Sequence, residues 1–130
     1  MNDRIEGLIQ DIGFELTDWL GDDLQDALVM AECEDGVSSV EVFFRDAKTG
    51  KLKLKSASDE LDDLFYTLWE EWPEDQEKWR AAEYILRNGE VELELIYAEN
   101  FDEELNDFQR RDQSAKKYFG DEPVDYSDPD

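Results

Sequence analysis

The stretch Trp79-Arg80-Ala81-Ala82-Glu83-Tyr84-Ile85-Leu86-Arg87-Asn88-Gly89-Glu90-Val91-Glu92-Leu93-Glu94-Leu95-Ile96-Tyr97 holds the clearest structural signal in the chain. Asn88-Gly89 suits a tight hairpin turn in which both central residues take positive φ. Residues 79–87 and 90–97 flank it as strands. A two-residue turn sets the register. Leu86 then faces Val91, Tyr84 faces Leu93 and Ala82 faces Leu95 on one side of the ribbon. On the other side Arg87 meets Glu90, Ile85 meets Glu92, Glu83 meets Glu94 and Ala81 meets Ile96.

Working back from this hairpin, a polar link from Glu74 to Lys78 follows Pro73, which ends a helix. That helix carries Leu61, Leu64, Phe65, Leu68, Trp69 and Trp72 as a broad apolar stripe. It opens at Ser58 as cap, with Asp59 and Glu60 in the first turn, where the helix dipole favours acids. Before it, Leu52 and Leu54 point to the core from a short strand, while Lys51, Lys53 and Lys55 point outward, able to neutralise Glu41 across the sheet. Ala47-Lys48-Thr49-Gly50 forms the preceding turn.

Another hairpin is centred on Asp35-Gly36. Its core face carries Ala27, Val29, Ala31 and Cys33 beside Ser38, Val40, Val42 and Phe44. Its other face is mixed and partly acidic, with Asp26, Leu28, Met30, Glu32 and Glu34 beside Val37, Ser39, Glu41, Phe43 and Arg45. At the start of the chain Ile5, Leu8, Ile9, Ile12, Leu16, Trp19 and Leu20 recur at helical spacing. Asp3 is a candidate cap, Gly13 a weak point, and Gly21-Asp22-Asp23 a stop. Beyond Tyr97, the residues Phe101, Leu105 and Phe108 predict a third helix reaching Tyr118-Phe119, closed by Gly120.

The predicted order is α-β-β-β-α-β-β-α. Hairpin-length connections favour an α+β fold, an antiparallel five-stranded meander with helices packed on one face. Residues 1–120 read as one domain, and 121–130 as an acidic, disordered tail. Nothing repeats at a fixed period.

Thirteen basic residues stand against 37 acidic ones, a net charge of −24. Self-repulsion on this scale lowers the stability of the compact state and calls for a reason. Solubility, a halophilic source or the tail are the plain ones. The tail's five acids, Asp121, Glu122, Asp125, Asp128 and Asp130, explain only part of the total. Such a surface repels nucleic acid and anionic membrane and attracts a cationic protein. Aromatic residues make up 12% of the chain, far from the composition of intrinsic disorder. Cys33 is the one cysteine, expected to pack as a small buried apolar residue in a reducing compartment. The N-terminus lacks a basic and apolar leader, and no apolar run is long enough to span a membrane, so a cytoplasmic location is expected.

The chain has no histidine, which removes the commonest general base and zinc ligand together. One cysteine builds no thiolate metal site, and glycine-rich phosphate loops are missing. Carboxylate-only catalysis remains formally open, but with 37 acids, pairs such as Asp22-Asp23, Asp62-Asp63 and Asp102-Glu103-Glu104 arise by chance. Glu34-Asp35-Gly36 lacks the alternating ligands of a calcium loop. No cofactor, metal or catalytic residue is therefore assigned, and no enzymatic activity is expected.

Glu83 opposite Glu94 is unfavourable by about 0.2–1 kcal/mol, the scale of such cross-strand pairs. With Glu90 and Glu92 beside them, these acids read either as a surface for a partner's Lys and Arg or as a solvent-facing strand with local ion pairs. Glu32, Glu34 and Glu41 on the first hairpin join them as candidate partner-binding residues. Trp69, Trp72 and Trp79 are read mainly as core, with Trp72, at the end of its helix, the candidate anchor for a partner. Asp11, Glu15 and Asp18 form an acidic stripe on the first helix, read as a solvated face.

The tryptophan-led strand from Trp79 to Tyr84, the Arg87-Asn88-Gly89 turn, Val91 to Tyr97, Arg110-Arg111 and the ending Lys117-Tyr118-Phe119-Gly120 together resemble the YezG-like immunity family. The resemblance covers most of residues 1–120. It implies an intracellular bacterial antidote that neutralises a cognate toxin of a contact-dependent or polymorphic system. Such a toxin is typically a basic nuclease domain, bound here in a 1:1 complex. An acidic chaperone or adaptor for a basic secreted effector is the alternative. Gene neighbourhood separates the two, and homo-oligomerisation is left open.

Overall fold

The computed structural model describes residues 3–21, 26–34, 37–46, 48–101 and 104–125. The elements are α1 (Asp3–Leu20), β1 (Asp26–Glu34), β2 (Val37–Arg45), β3 (Leu52–Ser56), α2 (Asp59–Glu70), β4 (Ala81–Arg87), β5 (Glu90–Ile96), α3 (Asp107–Phe119) and β6 (Val124–Asp125), with a 3-10 turn at Ala98–Asn100. The α+β class and the order of helices and antiparallel strands match the expectation.

The Asn88-Gly89 turn forms as its chemistry requires, with φ of 51° and 80°. Glu83 pairs with Glu94 and Tyr84 with Leu93 in the register expected. The first hairpin also keeps its register, Ala27 opposite Phe44 and Val29 opposite Val42. Its Asp35-Gly36 turn lies outside the described residues, as do Ala47 and Asp22-Asp23.

Strand order is β5-β4-β1-β2-β3-β6 rather than a simple meander. α2 carries the chain back across the sheet, so β4 joins the free side of β1, with Val29 opposite Tyr84. β1 thereby becomes central, and its buried run from Ala27 to Ala31 fits a strand covered on both faces.

That double covering corrects the expectation of helices on one face only. α1 and α2 pack their apolar stripes, Ile5, Leu8, Ile12, Leu16, Leu61, Phe65 and Leu68, on Val29, Ala31, Val42, Ala82 and Tyr84. α3 lies across the opposite face, where Leu28, Met30, Phe43, Leu52, Ile85 and Ala115 form a second, smaller core. The reason is the mixed character of that face: leaving those large side chains in water would forgo about 1.5–3 kcal/mol each. Leu52 and Leu54 point into this second cluster. The lysines of β3 are consequently on the α1 side, Lys53 paired with Asp46 at 3.1 Å and Lys55 over the Trp19 ring at 5.0 Å. They do not reach Glu41.

Ser58 caps α2 by accepting from the Leu61 amide, as expected. α1 runs unbroken through Gly13. A β-carbon there would stand 2.9 Å from the Tyr84 hydroxyl, so close packing, not a bend, explains this glycine. α3 starts later than its apolar spacing suggested, at an Asn106 cap whose side chain and that of Gln109 bond reciprocally to each other's backbone amides. Phe101 lies before it, between the guanidinium groups of Arg80 and Arg110, at 4.3 and 4.4 Å.

The expected tail from residue 121 falls into two parts. Val124 and Asp125 run parallel to β3, and Glu122 makes a bidentate pair with Arg45 at 2.6 and 2.8 Å. Residues 126–130 are outside the described residues.

Candidate functional site

The acidic positions of the sheet divide into those covered by α3 and those left in solvent. α3 places Arg110, Ser114 and Lys117 on one turn-by-turn row and Arg111, Ala115 and Tyr118 on the next, as three- and four-residue spacing dictates. These rows lie over the acidic side of β1, β2, β4 and β5.

Glu32 receives both Nε and Nη2 of Arg110, at 2.7 and 3.0 Å, with each side chain 15% exposed. Glu41 faces Arg111 at 3.5 Å and accepts from the Ser56 hydroxyl at 3.2 Å. Glu83 is buried, only 3% exposed, and accepts from the hydroxyls of Ser114 and Tyr118 and from the Lys117 ammonium. Glu94 takes the same ammonium at 2.8 Å, and the same phenol oxygen lies 3.0 Å away, so the single phenol proton is shared between the two carboxylates. The unfavourable Glu83–Glu94 pair is thus bridged by one cation and one hydroxyl from α3. The cationic partner of this face is the protein's own helix.

The electrostatics agree with the geometry. Hydrogen bonds from Lys117 and then Tyr118 hold the Glu94 carboxyl below the usual carboxylate range. Lys117 is raised chiefly by its bond to Glu94, and Tyr118 by burial and then by its bond to Glu83. A cavity of about 310 Å³ remains between α3 and the sheet, lined among others by Met30, Glu32, Phe101, Arg110, Ser114 and Lys117. Its charged groups are already paired with one another.

The other candidates are scattered. Trp72 is 5% exposed and packs in the main core, contrary to its reading as a surface anchor. The cause is its position just past the C-terminal end of α2, one turn beyond Leu68, where the line of the helix's buried stripe runs on into the core. Trp79 is fully buried, and the Trp69 indole donates to its carbonyl at 2.9 Å. Glu34 is exposed, 3.5 Å from Arg80. Glu90 and Glu92 are exposed on β5, the sheet's edge strand, and form no ion pair among the described residues. Cys33 is buried, and burial pushes its thiol up to about 12, which leaves it an inert core residue at neutral pH.

Sequence reasoning missed Arg110, Arg111, Ser114, Lys117 and Tyr118 as partners of the acidic strands. Their signal was present in the spacing of cations along α3. Phe14, 69% exposed, lies off the apolar stripe of α1 and so carries no signal in its spacing; with Asp11, Glu15 and Asp18 of α1 and Leu64 of α2 it lines a groove between the two helices.

Fold and surface together define a small acidic α+β domain whose basic helix covers one sheet face and pairs with its acids, while carboxylates such as Asp11, Asp18, Glu90 and Glu92 face solvent. The chain belongs to the YezG-like immunity proteins: the family described as "Immunity protein YezG-like" matches residues 32–129, from the last residues of β1 to the C-terminal segment. No curated protein sequence matches the chain significantly. No described helix is long and apolar enough to cross a membrane.

Proposed function

We propose that this protein is a cytoplasmic, non-enzymatic antidote that binds one copy of a basic toxin domain, a nuclease, and blocks it through acidic surface complementarity. Membership of an immunity family supplies the class of partner. The observation that carries the electrostatic part is the distribution of charge. Arg45, Arg110, Arg111 and Lys117 are engaged with the protein's own carboxylates, so the net charge of −24 is expressed outward. A nuclease needs a basic cleft for phosphate, and carboxylates can occupy or border such a cleft.

Of the acids expected to contact the partner, Glu34, Glu90, Glu92 and the solvent side of Glu94 are disposed to do so. Glu32, Glu41 and Glu83 support the surface from beneath by holding α3. The reading is tested by titrating the protein with a silenced copy of the toxin domain encoded beside its gene. Tight binding at low salt is expected, with the association rate falling steeply as salt rises, because charge steering is screened over about 10 Å at 0.1 M. Absence of binding at low salt refutes the proposal. Binding in which the toxin remains fully active on its substrate favours the adaptor reading instead.

A further inference from the structure

Phe14 is the most exposed of the large apolar side chains in the described structure, at 69%. It projects from the outer side of α1 into a groove of about 540 Å³ whose walls are Asp11, Glu15, Thr17, Asp18 and, from α2, Leu64. Single apolar residues at a surface are ordinary. This one is ringed by carboxylates that repel each other: Glu15 is raised above the usual range by desolvation and then by the charges of Glu60 and Asp18. The stripe is not balanced locally. Arg4, the cation nearest Asp11 in effect, is engaged by Glu71 through three hydrogen bonds of 2.8–3.1 Å. Asp11, Glu15 and Asp18 form no ion pair among the described residues.

This arrangement contrasts with the cross-strand pair Glu83–Glu94 on the sheet, which Lys117 of α3 bridges. An acidic ring left unbridged around a projecting aromatic has the layout of an interaction centre: an apolar anchor with a charged rim. We propose that the α1–α2 groove, with Phe14 as its anchor, is the docking surface for a cationic segment of the toxin domain that carries an apolar side chain among its Lys and Arg residues. Charge decides the occupant. A second copy of this chain would bring the same carboxylates and the same net charge of −24, and polyanions are repelled for the same reason. A Lys- or Arg-bearing protein segment neutralises the rim, and its apolar side chain covers Phe14 and Leu64.

The inference rests on the toxin-binding reading, deepens it by naming the contact, and moves the centre of the interface from the β5 acids to the helices. Four proteins are compared against the silenced toxin domain by calorimetry and stopped flow: the parent, Phe14→Ala, the triple Asp11→Asn/Glu15→Gln/Asp18→Asn, and Glu90→Gln/Glu92→Gln. Circular dichroism and thermal unfolding verify that each variant is folded, as the exposure of these side chains leads us to expect. Phe14→Ala should weaken binding roughly tenfold or more, mainly through faster dissociation. The triple variant should slow association and flatten its salt dependence. Retention of affinity within about twofold by both, with the parent still binding, overturns the docking surface and leaves the antidote reading intact. A loss confined to Glu90→Gln/Glu92→Gln overturns it likewise and returns the interface to β5. Failure of the parent itself to bind removes both proposals.

Discussion

At the scale of single residues, the structure assigns reasons that composition hides. Gly13 is an example. An alanine in mid-helix should gain about 1 kcal/mol over glycine from propensity. Here the added carbon would meet the Tyr84 hydroxyl at 2.9 Å and push it from the Ile9 carbonyl, to which it donates at 3.4 Å. Overpacking of this kind costs about 1–3 kcal/mol, so Gly13→Ala is expected to be net destabilising. Tyr84→Phe introduced into the same variant should recover most of the loss. A double-mutant cycle in urea checks this, and additive effects would refute the contact. Glu83 shows the same lesson for charge. Its sequence position, opposite Glu94 in an alternating strand, is that of a solvent-facing acid. Only the helix that crosses above it makes it a buried acceptor of three donors.

At the scale of elements, the strands and the first two helices were legible because their signals are local. Asn88-Gly89 demanded its turn, Ser58 its helix start, and the two-residue turn length set the register of the hairpin. The placement of α3 was not local. Its apolar stripe is thin, with Ala115 buried and Tyr118 and Phe119 partly so, and what attaches it is a set of ion pairs whose partners are far away in sequence. The row Arg110, Ser114, Lys117 could have been matched to the acidic strand face, but only with the strand order known, and that order depends on where α2 returns the chain. Trp72 is a case of the same kind: the proline after it marks the end of a helix, and its candidacy as a partner anchor rests on that end, which does not say whether the side chain turns inward.

The attachment of α3 makes it the element whose stability should respond to single charge changes. Removal of Glu83 strands the buried Ser114 hydroxyl, at a cost of about 1–3 kcal/mol, and leaves Tyr118 and Lys117 with Glu94 alone. Glu83→Ala should therefore lower hydrogen-exchange protection in α3 while the amides of α1 and α2 change little. Equal losses throughout would show that α3 does not open separately. Lys117 and Tyr118 are both held above their unfolded values. Their contribution is complete below about pH 10 and is lost as pH rises through the higher folded-state values. Urea stability should decline from about pH 10 upward, and Lys117→Met should flatten that decline.

At the scale of the whole molecule, the net charge of −24 sets the balance between repulsion and local pairing. Most of the ion pairs are partly exposed, and each contributes about 0–1 kcal/mol. Screening them loses little, whereas screening the general repulsion among unpaired acids relieves a penalty that extends over the entire surface. Added sodium chloride should accordingly raise the unfolding midpoint, even as it slows association with the basic partner proposed above. A midpoint that falls with salt would mean that the internal pairs, not the repulsion, dominate.

The bridging of the sheet acids by α3 also separates two populations of carboxylate that composition counts as one. Glu32, Glu41, Glu83 and Glu94 are tied to the scaffold, and a change at any of them disturbs the packing of a helix. Asp11, Glu15, Asp18, Glu90 and Glu92 hold nothing in place, and substitutions at such surface positions usually alter stability by less than about 0.5 kcal/mol. On the contact surface proposed above, carboxylates of this second kind can drift without endangering the fold that carries them. Under that proposal the architecture lets partner choice be rewritten quickly on an unchanging frame, a property suited to pursuit of an antagonist that itself keeps changing.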